Sequence, residues 1–281
     1  MIDPLSRRLL KGAGLVPASQ GRGPVVLMYH SISRGNKLPD SRWAITEKSF
    51  RNQLQLLKDQ GWHTVCARDL ERRENLAPRT VAITFDDGFA DNYDCAFLHL
   101  VHSGFNATWF VVTADIGKTS SWTDSGVPHR PMLDQKQLQN MTAAGMEIGA
   151  HTRTHARLTE LNQIGIAEEV RGSRQDLEDI LGKPVTSFAY PYGRINDAAI
   201  EAVKRADFKI ACTTRTGWLG SEPDPLKVRR VAVFNDDGLS TFARKIVFAD
   251  TNVSWSRMFQ YMISRIRSRL STLQGNWHQS K

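Results

Sequence analysis

The chain has 281 residues, 37 of them basic and 29 acidic, a formal net charge of +8 and a pI of about 9.6, with 41% hydrophobic residues. That supports one large α/β domain or two small ones. It excludes a transmembrane helix, because no run of about 18 or more apolar residues occurs, and a disulfide framework, because Cys66, Cys95 and Cys212 are odd in number and form no Cys-x-x-Cys. The positive balance favours anionic surroundings such as a membrane face or an acidic glycan. No zinc-finger spacing or RNA-binding aromatic motif accompanies it, so nucleic acid is not an expected partner.

In chain order, Ser6-Arg7-Arg8-Leu9-Leu10-Lys11 is similar to a twin-arginine export signal, but the apolar stretch behind it, Gly12 to Ala18, is short and contains Pro17. Residues 1–24 therefore read as a basic amphipathic lead-in. The expected location is cytoplasmic, with or without membrane association, and export is the alternative. Val25 to Tyr29 is a strand with His30 at its end, and Ser31 to Arg42 reads as a loop. Thr46 caps a helix that buries Phe50, Leu54 and Leu57 and stops at Gly61. Trp62 to Val65 is a short strand, and Ala67 to Glu74 a helical turn. Val81 to Phe85 is a buried strand that runs straight into Asp86-Asp87-Gly88.

A helix follows over about Asp91 to His102, then a strand from Thr108 to Val112 and a long polar loop over 115–131. Asp134 opens a helix that ends at Gly145. Met146 to Gly149 is a strand leading to His151-Thr152-Arg153-Thr154-His155. Ile164 to Leu181 is a long charged helix, Val185 to Ala189 a strand, Asp197 to Ala206 a helix, and Lys209 to Thr213 and Val228 to Phe234 are strands. Strand, loop and helix alternate without a repeat of fixed period, the signature of parallel β/α units in a barrel or an open sheet. In such folds functional residues gather at the C-terminal ends of strands. His30, Asp86-Asp87, His151 with His155, and Tyr192 all stand there.

These residue types suit a metal. One of the two aspartates with His151 and His155 offers one oxygen and two nitrogens, leaving a position open for water, whereas a structural zinc site is normally closed by four protein ligands. The second aspartate, beside an activated water, can act as general base.

Thr84-Phe85-Asp86-Asp87-Gly88, His151-Thr152-Arg153-Thr154-His155 and Phe188-Ala189-Tyr190-Pro191-Tyr192-Gly193, in this order and each after a strand, resemble the leading motifs of the polysaccharide deacetylases, the NodB-homology domain of carbohydrate esterase family 4. The similarity runs from about Val25 to about Phe234. It implies a distorted (β/α) barrel as a single α/β domain and metal-dependent removal of N-acetyl groups from amino sugars. By position, Asp87, His151 and His155 would hold one divalent ion, with Zn2+ expected. Asp86 would be the base, and the Tyr192 backbone N–H would help hold the oxyanion.

Two features depart from the common pattern. Where many members carry an arginine in the third motif, Ala189 or Tyr190 stands here, which places the chain nearer the Tyr-Pro-Tyr-Gly branch that resembles the poly-N-acetylglucosamine deacetylases. Neither an Asp-x-x-Asn/Asp-Trp motif nor a late Leu-x-x-His motif is found. In that branch the general-acid histidine comes from the early strand, so His30 is the expected acid. Arg230 is a candidate to replace the missing arginine, with Arg229 as its rival and a plain surface ion pair as the alternative reading, and Tyr190, Pro191 and Arg230 are expected at the substrate. The implied partner is an N-acetylated glycan or a lipid-linked sugar. The alternatives are a deformylase or deacetylase of an isoprenoid-linked amino sugar at the membrane face, and a non-catalytic glycan-binding homologue.

The domain itself is expected over 25–250. Beyond it, Trp255, Met258, Phe259, Met262, Ile263, Ile266 and Leu270 follow helical spacing among arginines. Residues 251–281 thus read as a basic amphipathic helix that either lies on an anionic membrane or packs back on the barrel.

Overall fold

The computed structural model describes residues 2–12, 23–35, 39–122 and 128–254, together with 256 and 263. The helix expected over 251–281 falls outside the described residues from 255 onward, apart from those two positions. No helix among the described residues is long and apolar enough to cross a membrane.

Helix α1 (Pro4–Gly12) precedes β1 (Val25–Tyr29), β2 (Ser31–Ser33), β3 (Ala44–Thr46), α2 (Glu47–Asp59), β4 (His63–Val65), β5 (Thr80–Phe85) and α3 (Leu98–Ser103). Then come β6 (Thr108–Val111), α4 (Gln135–Ala143), β7 (Glu147–Ala150), α5 (Gln163–Leu181), β8 (Ser187–Ala189), α6 (Asp197–Arg205), β9 (Ile210–Cys212), β10 (Val231–Ala232) and α7 (Leu239–Phe248). Eight strands form one parallel sheet in the order β10-β1-β5-β6-β7-β8-β9, with β4 on β5.

The sheet comes round on itself through the segment expected as a strand over Val228 to Phe234. Only Val231 and Ala232 pair with β1, because the segment divides its hydrogen bonds between two neighbours. Val228 bridges Cys212 of β9, donating to Ala211 O (2.9 Å) and accepting from Thr213 N (2.8 Å), while Val233 N donates to Met28 O (3.0 Å). Arg230 lies at this closure.

Side chains alternate across a strand, and the two faces have separate cores. Leu27, Tyr29, Ile83, Phe85, Trp109, Val111 and Phe188 point outward under the helices, where Phe85 stacks on Trp109 with ring centroids 4.7 Å apart. Val26, Ala82, Phe110, Ala189, Ile210, Cys212 and Val228 fill the barrel. The same parity carries His30, Asp86, His151 and Arg230 to the interior face.

Some boundaries differ from expectation. Ser31 to Ser33, expected within a loop, pairs with Ala44 to Thr46. The helix expected over Asp91 to His102 is present, with a π-helical turn, Tyr93–Phe97, inside it ahead of α3. α1 packs on α7: Leu10 is fully buried, Asp3 N donates to Ser240 Oγ (2.8 Å), and Arg244 reaches Ser6 Oγ (3.1 Å) and the Asp3 carboxylate (3.5 Å).

Candidate active site

At the C-terminal ends of the strands a cleft of about 500 Å³ is lined by His30, Trp43, Asp86, Asp87, His151 and His155, with Trp122, Arg130, Arg157 and Tyr192 on its outer walls. Asp86 continues the inward series Ala82, Thr84 and is almost fully buried. Its two carboxylate oxygens each accept from one terminal nitrogen of Arg230 at 2.6 Å. Arg230 is itself fully buried, also donates from Nε to Thr213 O (2.9 Å) and from Nη1 to Thr84 Oγ1 (3.1 Å), and sits over the Phe110 ring at 5.6 Å. Burial is the largest influence on the Asp86 carboxyl and raises its pKa. The charge of Arg230 and its hydrogen bonds, with His151 adding to them, outweigh it and bring the pKa down to about 2. Such a forked pair is the strong form of a charge-assisted hydrogen bond.

Asp87 turns the other way because its backbone is left-handed (φ 74°), and Gly88 continues at φ 89°. A Cβ on Gly88 would meet Val111 Cγ1 at 2.9 Å, so glycine is required for the chain to turn here. Thr152 (φ 64°), His155 (φ 58°) and Tyr192 (φ 60°) are also left-handed; among the described residues only Arg79, Asp207 and Ala249 are other non-glycine cases. Backbone of this kind persists only where surrounding structure holds it, and it concentrates at functional sites.

Asp87 Oδ1 lies 3.6 Å from His151 Nε2 and 3.4 Å from His155 Nε2. One potential ligand atom from each of the three residues lies within 4.8 Å of the other two. His151 Nδ1–H donates to Ala189 O at 2.7 Å, which leaves the Nε2 lone pair facing Asp87. Burial lowers the pKa of both histidines: Asp86 opposes this at His151, and the neighbouring His151 reinforces it at His155. Two neutral imidazoles and one carboxylate on one side of a cleft match the donor set and open geometry of a catalytic zinc site, with an outer carbonyl fixing one ring.

The His30 ring packs on Trp43 at 4.6 Å, and its backbone oxygen accepts from Asn92 Nδ2 at 2.8 Å. Asn92 in turn accepts from Trp109 Nε1 at 3.0 Å, which ties the end of β1 to the outer core. Burial is the main cause that lowers the His30 pKa to about 4, with Asp86 opposing and Arg230 and His151 adding to the shift. Its Nδ1 has no hydrogen-bond partner among the described residues. The Tyr192 ring lies 4.7 Å from that of His155 and beneath the Arg157 guanidinium at 4.4 Å.

The structure thus brings His30, Asp86, Asp87, His151, His155 and Tyr192 together. Tyr190, Pro191 and Arg230, expected at the substrate, are all buried. Tyr190 shares the outward parity of Phe188, is fully buried and packs on that ring at 5.2 Å. Pro191 is buried at the start of the following 3₁₀ turn. Arg230 is spent on Asp86. The rival Arg229 instead donates to Thr216 O (3.1 Å) and lies 3.7 Å from Glu222.

Sequence reasoning missed Trp43 and Trp122, whose ring lies 4.7 Å from His155. Both are large aromatics in polar loops, which was the available signal. Nothing in the sequence marked Asn92.

A family model described as polysaccharide deacetylase matches residues 73–211. The poly-beta-1,6-N-acetyl-D-glucosamine N-deacetylase of Staphylococcus epidermidis is 26% identical over 235 residues, covering 75% of this chain and 79% of that one. Among solved structures, the Streptococcus pyogenes deacetylase PplD, in complex with acetate, superposes with a TM-score of 0.69 at 26% identity, over 80% of this chain and 98% of that one. IcaB from Ammonifex degensii gives a TM-score of 0.68 at 28% identity, over 81% and 97%.

Proposed function

This chain belongs to the polysaccharide deacetylase family and is a hydrolase of the deacetylase type, and we propose that it removes N-acetyl groups from the amino sugars of a glycan with the help of one divalent ion, Zn2+. The observation that carries this reading is the placement of Asp87, His151 and His155 beside an Arg230-held Asp86 in one cleft. Asp87, His151 and His155 would hold the ion. When bound, it would supply Lewis acidity toward the acetamide carbonyl and toward water.

The protein's own groups do the rest. Asp86, kept ionised and oriented by Arg230, keeps lone pairs free of that fork with which to accept the proton of the attacking water. The Tyr192 N–H would meet the charge that develops on the carbonyl oxygen, the kind of contact that lowers acyl-transfer barriers most. His30 gives a proton to the departing amine. With a pKa of about 4 it is neutral at pH 7 and must take up a proton before giving one, so the net transfer is one proton from water to the amine. The rings of Trp43, Trp122 and Tyr192 offer apolar faces to a sugar. We read residues 251–281 as a peripheral contact with an anionic membrane, which would suit a lipid-linked substrate.

The test is metal content and acetate release. Asp87→Ala, His151→Ala and His155→Ala should each lose the single bound ion, because a three-ligand site has no redundancy. The wild-type chain should release acetate from a panel of N-acetylated glycans and lipid-linked sugars. Full metal occupancy in all three folded variants, or no acetate from any substrate, overturns the reading.

A further inference from the structure

The turn between the two histidines carries two left-handed non-glycine residues, Thr152 and His155. It is held by one stripe of α5. Glu169 Oε2 accepts from Arg153 N (2.8 Å) and Thr154 N (3.0 Å), and its Oε1 accepts from Thr154 Oγ1 (2.7 Å). One turn on, Gly172 leaves room for the Arg153 stem, since a Cβ there would meet Arg153 Cδ at 2.5 Å. A further turn on, Asp176 Oδ2 accepts from Arg153 Nε (3.0 Å) and from Thr113 Oγ1 (2.6 Å). Residues 169, 172 and 176 share one helical face.

The other side of the turn is tied to the chain after β6, where Thr113 N donates to Thr152 O (3.2 Å) and Ala114 N to Arg153 O (2.9 Å). Without Glu169 the two amides of Arg153 and Thr154 lose their acceptor, and the helix-side tie to this turn is reduced to the Arg153 side chain on Asp176.

We propose that Glu169 is a positioning residue for metal binding: by accepting the amides of the 153–154 turn it sets the distance and angle at which His155 meets Asp87 and His151. Glu169 touches none of the three and acts only through the backbone between them. Outer partners of this kind are worth roughly 10–100-fold in metal affinity. The inference rests on the reading of Asp87, His151 and His155 as the metal site.

The experiment uses the full chain stripped of metal and titrated with Zn2+ against a chromophoric chelator, with the thermal midpoint of the metal-free protein measured in parallel. Glu169→Ala should weaken Zn2+ binding about 10–100-fold while the metal-free midpoint stays near that of the wild type. Glu169→Gln keeps an oxygen for the two amides, and its amide can donate to Thr154 Oγ1, so it should recover most of the loss. If Glu169→Ala binds Zn2+ within about threefold of wild type, or if Glu169→Gln is no better than Glu169→Ala and both lower the metal-free midpoint, the positioning role is overturned. If the wild-type chain itself takes up no ion, the metal reading falls and this inference with it, which separates the two failures.

Discussion

The two ends of the barrel each bury a carboxylate on an inward strand position, and they treat it in opposite ways. At the C-terminal end Asp86 is forked by Arg230 and its pKa is brought to about 2, against an ordinary 3.8. At the N-terminal end Glu147, the first residue of β7, accepts from Ser187 Oγ (2.6 Å), Thr108 Oγ1 (2.8 Å) and Arg68 N (3.0 Å), all neutral donors. Burial dominates there, and the pKa is raised above 4.5. The 3₁₀ segment Ala67–Asn75 plugs that end, with Ala67 N on Thr108 Oγ1 (2.8 Å) and Arg73 on Glu222 O (2.7 Å). Neutral hydrogen bonds suffice to bury an acid that closes a barrel. An acid that must stay ionised beside chemistry needs a fixed cation.

The largest effect expected from this contrast is on turnover. Asp86→Asn keeps size and burial but cannot take a proton, so acetate release should fall about 10²–10⁴-fold while the metal stays bound. Glu147→Gln, the same change at the other end, should leave the rate within about twofold, under ~0.5 kcal/mol of barrier. Comparable losses in both variants would show that Asp86 acts through the fold and not on the substrate.

His30→Ala probes the same end. General-acid help is worth about 10²–10⁴-fold to an amide, whose amine leaves poorly unless protonated. An activated acetate ester needs no such proton, so its hydrolysis should fall much less. Equal losses on ester and amide would return His30 to a packing role against Trp43.

Arg230→Met tests the cation itself. It leaves Asp86 charged and buried without its partner, and breaking a buried pair from one side costs about 3–5 kcal/mol. Denaturant unfolding at pH 7 reads this directly. Because the Asp86 pKa is lowered on folding, the stability it contributes is present above 3.8 and lost as pH falls through about 2. The gap between wild type and Arg230→Met should therefore close in acid. A gap under about 1 kcal/mol at pH 7 would mean that Arg230 is not what keeps Asp86 ionised.

Much of this was legible in the sequence, and the limits follow from geometry. Strand and helix alternation, the strand-end acids and the His151–His155 spacing point to a parallel barrel and a metal cleft because both depend on local pattern. Parity along β8 also bears on Tyr190: two residues after Phe188, it shares the outward face and could not reach the cleft. The Arg230–Asp86 fork was less legible, since it joins positions 144 residues apart through a strand that divides its pairing between β9 and β1. Glu169 was illegible: it is one of several acids on a charged helix, and only the turn it receives distinguishes it.

The smallest expected effect concerns Glu147 and stability alone. Glutamine keeps one oxygen acceptor, but its NH₂ faces a hydroxyl that must rotate to accept, at a cost of about 1 kcal/mol. The pH dependence is the sharper reading. A carboxyl whose pKa is higher in the folded than in the unfolded chain binds more protons when folded, so it takes stability away as pH rises from 4.5 through the folded value. Glutamine does not titrate, and that part of the slope disappears. Unfolding wild type and Glu147→Gln side by side from about pH 4.5 to about pH 8 should show any wild-type advantage shrinking as the pH goes up. A difference that stays flat or widens would mean that Glu147 ionises in the fold without penalty. Arg68, whose charge already acts on Glu147, would then serve it as Arg230 serves Asp86, and the two ends of the barrel would follow one rule.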